Sequence, residues 1–149
     1  MLEDKIYKEY IAALKSRDKH KADFLSFIRA ELKNAAINVK KEKLEDNEVL
    51  EVLKKQKKRL QETKDSVAET ARVDILRNVE KELALLDTYL PKPLEENELI
   101  AIIDQVFSET GASSMKDMGK VMKEVLARVG VRADAKKVSE LVRTKLSTT

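Results

Sequence analysis

Ser113, Ser114 and Lys116, within Thr110-Gly-Ala-Ser-Ser-Met-Lys116, form the tightest group of residues whose types could do covalent chemistry. Two serines beside a lysine are the ingredients of an amidase site in which the lysine serves as base for a serine nucleophile. The same residues also read as a helix start. Ser114 with Asp117 three residues later is an S-x-x-D capping pattern, in which side chains satisfy the free N–H groups of the first turn. Nothing else in the chain supplies an oxyanion hole or a closed pocket for them. Capping is therefore the better account, and no catalytic residue is assigned. A single histidine, His20, and no cysteine leave neither a metal cluster nor a thiol nucleophile. His20 reads as an exposed residue at a helix start, and no cofactor or metal is expected.

The segment after Ser114 carries the second kind of chemistry, binding of an anion. At about 100° per residue, Lys116, Lys120 and Lys123 fall within about 60° of one another on a helix. Met118, Val121, Met122 and Val125 fall on the opposite face. Gly119 borders the lysine face. A glycine inside a helix costs about 1 kcal/mol relative to alanine. It suits packing on a neighbouring helix, or close approach of another backbone, protein or nucleic acid. Helix physics alone favours a solvated lysine face over a core stripe. A second basic stretch, Lys54-Lys-Gln-Lys-Lys-Arg59, also lies on a helix face opposite leucines, with Glu48, Glu51, Glu62 and Asp65 as partly neutralising neighbours.

These groups must be positioned by helices. All three glycines and both prolines come after residue 90, so the first ninety residues hold no strong backbone breaker. That excludes a sandwich or barrel, which needs frequent turn residues, and a doubly wound nucleotide fold, which needs an early glycine-rich loop. Apolar spacing predicts helices over about 2–15 (Leu2, Ile6, Tyr10, Leu14), 19–41 (Phe24, Leu25, Ile28, Leu32, Ala35, Ala36, Val39), 47–69 (Leu50, Leu53, Leu60) and 72–89 (Val73, Leu76, Val79, Leu83, Leu86, Leu90). Asp18 and Asn47 are the expected caps of the second and third. Pro91 and Pro93 end the fourth. Three shorter helices follow, at about 94–109, 114–129 and 134–147, with Gly111 and Gly130 at C-caps and Ser114 and Asp134 at N-caps. The expectation is an all-α protein: a long-helix bundle over residues 1–90, then a compact three-helix tail domain over 91–149.

The net charge is +3, from 30 basic and 27 acidic residues. Its distribution is uneven: Gly111–Thr149 holds nine basic residues against four acidic ones. This C-terminal stretch is thus the electropositive part, suited to a polyanion. Gly111–Thr149 contains no aromatic residue, so an RNA contact there would read phosphate and shape instead of stacking on bases. No apolar run reaches the length of a membrane span, and the polar start MLEDKIYKEY is unlike a signal peptide. A cytoplasmic protein with no membrane partner is expected.

Several segments resemble the YqeY family. Glu80-Lys-Glu-Leu-Ala-Leu-Leu-Asp-Thr-Tyr-Leu-Pro91 is similar to its E-x-E-L-x-x-L-x-x-Y-L-P signature. Lys57-Lys-Arg-Leu-Gln-Glu62, Ala71-Arg-Val-Asp74 and Phe27-Ile-Arg-Ala-Glu-Leu-Lys-Asn34 resemble the stretches before it. Lys116-Asp-Met-Gly-Lys-Val-Met122, followed by Val138-Ser-Glu-Leu-Val-Arg143, resembles the tail that this family shares with the GatB subunit of tRNA-dependent amidotransferase. Ala135 departs from that pattern, where glycine is expected. The resemblance implies a helical domain followed by a three-helix tail that touches the body of a tRNA. It also implies the label of a carbon–nitrogen ligase with glutamine as amido donor, although the catalytic domains of the amidotransferase have no counterpart here. The resulting expectation is a non-catalytic, tRNA-associated adaptor. Its candidate RNA-binding residues are Lys116, Gly119, Lys120, Lys123, Arg128, Arg132, Lys136 and Lys137. The bundle would dock a protein such as an amidotransferase or a tRNA synthetase. The alternatives are an accessory component of a glutamine-dependent carbon–nitrogen ligase, and a protein–protein interaction module with no RNA role.

Overall fold

The scarcity of backbone breakers before residue 90 is realised as four helices. The structure, a computed structural model, describes residues 1–70 and 72–148. In chain order the helices are α1 (Leu2–Lys15), α2 (Lys19–Asn38), α3 (Asp46–Ala68), α4 (Val73–Tyr89), α5 (Glu96–Thr110), α6 (Met118–Val129) and α7 (Ala135–Thr148). Single turns of 3-10 helix, Met115–Asp117 and Gly130–Arg132, flank α6. Among the described residues there is no strand, and the chain is all-α. It divides into two compact units, Met1–Leu90 and Pro91–Thr149.

In the first unit, α1 pairs with α2 and α3 with α4. Ile6, Phe24, Leu25, Ile28, Leu32, Leu44, Val49, Leu53, Leu86 and Tyr89 make one buried core. The Tyr89 hydroxyl donates a hydrogen bond to the Glu9 carboxylate at its edge. The helices stop where the chain enters left-handed backbone. Arg17 (φ 59°) and Lys40 (φ 57°) each follow a helix end. At Lys40 the next N–H, of Lys41, reaches back to the Ala36 carbonyl at 2.9 Å, while Lys40 N–H bonds the Ile37 carbonyl at 3.0 Å. Asp18 N–H and Arg17 N–H do the same to Ala13 and Leu14. Both are Schellman endings, which satisfy carbonyls that the helix leaves open. Asp18 caps α2 as expected, accepting from Lys21 N–H.

The structure corrects several sequence expectations here. Glu45, not Asn47, caps α3, in a reciprocal box with Glu48. Leu14 is half exposed, and Ala13 faces inward instead. A spacing of four overshoots a turn by about 40°, so three such steps from Leu2 rotate Leu14 by about 120° off the core. Val39 and Val73 are also exposed: the first lies past the unwinding of α2, the second at the first residue of α4, beyond the reach of the core. The apolar residues of α3 after Leu60 and of α4 before Leu85 pack outside that core, as a paired extension of these two helices. His20 is half-buried against Glu82, with Nε2 3.5 Å from Oε1, and is not the exposed residue expected.

In the second unit α6 packs on both α5 and α7. Leu99, Ile103, Val106, Phe107, Val121, Val125, Val129, Val138, Val142 and Leu146 form its buried core. Residue 111 must be left-handed (φ 67°) to end α5, and glycine adopts that without a Cβ penalty. Helix α5 starts at Glu96, two residues later than expected, because Glu95 and Glu98 make a capping box there. The chain before it is tied down: Leu94 N–H bonds the Arg132 carbonyl at 2.9 Å, and Arg132 Nε donates to the Lys92 carbonyl at 3.1 Å.

Candidate nucleic-acid interface

The basic segment is built on the start of α6. The Asp117 carboxylate accepts from the N–H groups of Ser113 (3.0 Å) and Ser114 (3.3 Å). These two backbone bonds, with Lys120 nearby, hold its carboxyl below the usual carboxylate range. Ser114 and Asp117 complete the reciprocal capping box that their spacing predicts. Ser113, Ser114 and Lys116 are all exposed, so water has free access to them.

The cap changes the helix geometry. It closes a 3-10 turn over Met115–Asp117 before α6 begins at Met118. The single helix expected from residue 114 is therefore two elements, and Lys116 lies on the turn instead of on α6. Lys120 and Lys123 stay together on α6, exposed, with Val121, Val125 and Val129 buried behind them. A Cβ added at Gly119 would meet nothing within 4 Å. Gly119 thus packs on no neighbouring helix and leaves bare backbone beside Lys120.

The other candidate residues fall into two groups. Arg128 is engaged: its guanidinium is bonded to Glu109 and, at 3.2 Å, to Glu124. The Glu109 hydrogen bond, then that of Glu124, raises the Arg128 pKa further, and Arg128 in turn lowers that of Glu109. Lys137 sits 3.6 Å from Glu96, and Arg132 braces the chain at Lys92. Lys116, Lys120, Lys123 and Lys136 form no ion pair among the described residues and are exposed. Arg143, which the sequence reading leaves out of the site, is also exposed and lies two turns after Lys136 on the same face of α7. The periodicity from Lys136 could have found it. By contrast, Lys57 in the other basic stretch is ion-paired to Asp87 at 2.8 Å.

Unpaired ammonium groups next to bare helical backbone can neutralise phosphates without first losing an internal partner. Among the described residues no group of three His, Asp or Glu could hold a metal ion. None of the described helices is long and apolar enough to cross a membrane.

A family model described as Yqey-like protein matches residues 3–146. No curated protein matches the chain.

Proposed function

The chain belongs to the YqeY-like family, and from that membership and its unpaired lysines we propose that it is a non-catalytic, tRNA-associated adaptor. The second unit meets the phosphate backbone of a folded tRNA through Lys116, Gly119, Lys120 and Lys123, with Lys136 extending the contact. Arg128, Arg132 and Lys137 serve mainly to hold the surface in shape, since each already has a protein partner. The first unit docks a protein partner such as an amidotransferase or a tRNA synthetase, and the complex works in the cytoplasm.

The observation that carries this reading is the contrast in charge compensation. Arg128 and Lys137 are ion-paired with carboxylates, whereas Lys116 and Lys123 have no ion-pair partner among the described residues and Lys120 has only the nearby Asp117, whose carboxylate two backbone N–H groups already hold. Uncompensated lysines repel one another and add nothing to folding, so a ligand with the opposite charge is their natural partner. Filter binding of total tRNA at two salt concentrations tests it. Binding that weakens steeply with salt supports the adaptor. The absence of salt-dependent binding leaves an interaction module without an RNA role.

A further inference from the structure

A cavity of about 380 Å³ opens in the first unit, lined by Asp18, His20, Lys21 and Phe24 at the start of α2 and by Lys81, Glu82, Ala84, Leu85 and Thr88 of α4. That volume is within the range of small-molecule sites. Its walls divide by chemistry. Phe24, Ala84 and Leu85 offer an apolar surface. Glu82 offers a carboxylate that is only 20% exposed. Burial pushes its carboxyl above the ordinary range, and the charge of His20 opposes the shift. His20 meets it without a hydrogen bond: Nε2 is closed off from solvent and unpartnered, 3.5 Å from Glu82 Oε1.

Two lysines, Lys21 and Lys81, line the same cavity, and neither forms an ion pair among the described residues. Asp18 does not offer them a free carboxylate, since it caps α2 at Lys21 N–H. The cavity therefore holds one acid that His20 approaches without a hydrogen bond, two lysines without an ion-paired acid, and an apolar wall. A ligand that satisfies all three is a zwitterion with an apolar body. We propose that this cleft binds a free amino acid with an apolar side chain, its ammonium on Glu82 and its carboxylate on Lys21 and Lys81. The side chain covers Phe24, Ala84 and Leu85. This site is separate from the lysines around Gly119 and does not depend on tRNA binding.

The test is a titration of the full-length chain, followed by amide NMR, with L-phenylalanine, N-acetylphenylalanine, phenylalaninamide and glycine. Phenylalanine should give saturable shifts at amides near Lys21, Phe24 and Leu85. Removing its positive charge by acetylation should weaken binding about tenfold or more, the usual loss for one charge-assisted hydrogen bond. The amide, which lacks the carboxylate, should lose a similar factor, and glycine should not bind. Glu82→Gln should weaken phenylalanine about tenfold while leaving the spectrum folded. No saturable shifts with phenylalanine would overturn the proposal. So would acetylated and free phenylalanine binding alike. Phenylalaninamide binding as tightly as phenylalanine would also overturn it, because the cleft would then take a peptide N-terminus instead of a free amino acid.

Discussion

Replacing Lys116, Lys120 and Lys123 together by Gln removes three exposed charges around Gly119 at little cost in helix propensity. None of the three is ion-paired among the described residues, and the folded unit loses only the attraction of Lys120 to the nearby Asp117, so stability should change little. If each lysine neutralises one phosphate, the slope of log affinity against log salt should flatten by about 0.7–0.9 per contact. Three contacts give about 2 to 2.7 in the slope, so between about 50 and 200 mM salt the wild-type advantage should shrink by about twentyfold to fortyfold. Filter binding of tRNA at several salt concentrations reads this directly. Two controls isolate the cause. Lys55, Lys58 and Arg59 changed together to Gln remove the same charge from exposed positions of α3. Arg128→Gln removes a charge that Glu109 and Glu124 already balance. A specific surface predicts flattening only for the Lys116/Lys120/Lys123 variant. Equal flattening in the α3 control would reduce the interaction to general attraction, and an unchanged slope in the first variant would refute the argument from uncompensated lysines.

Lys40→Gly should stabilise the first unit by about 1 kcal/mol, because it removes the Cβ cost of left-handed backbone at φ 57°; chemical denaturation with an unchanged or lowered midpoint would contradict this. Glu82→Gln should change the pH dependence of stability. Burial raises the folded-state pKa of Glu82 above its unfolded value, so the folded state binds more protons in that window and stability falls as pH rises through it. The Gln variant should lose this fall and gain stability at neutral pH, measured by thermal melts across the acid range. Arg132→Ala removes the Nε bond to the Lys92 carbonyl, so limited proteolysis between Tyr89 and Leu94 should speed up; an equal rate would mean that this bond does not restrain the chain. Amides of α3 after Leu60 and of α4 before Val79 should exchange faster than those around Leu53 and Leu86, since they pack outside the core.

The helical class was written locally. Ninety residues without glycine or proline leave a chain little alternative to helix; Asp18, Gly111 and the Ser114/Asp117 box mark ends through bonds that span three or four residues, and Pro91 marks one by lacking an N–H to donate. Such signals are legible because both partners lie in one short window. The lysine-rich segment was legible for the same reason, apart from Lys116, which the cap turns into a 3-10 turn. What the sequence could not show is which charges are already used. Arg128 and Glu109 are nineteen residues apart, and Lys137 and Glu96 forty-one, so only packing decides that these cations are ion-paired while Lys116 and Lys123 are not. Likewise, His20 and Glu82 meet across sixty-two residues. Their burial, and the cavity beside them, follow from how α2 and α4 line one space, and no periodicity along either helix encodes that distance.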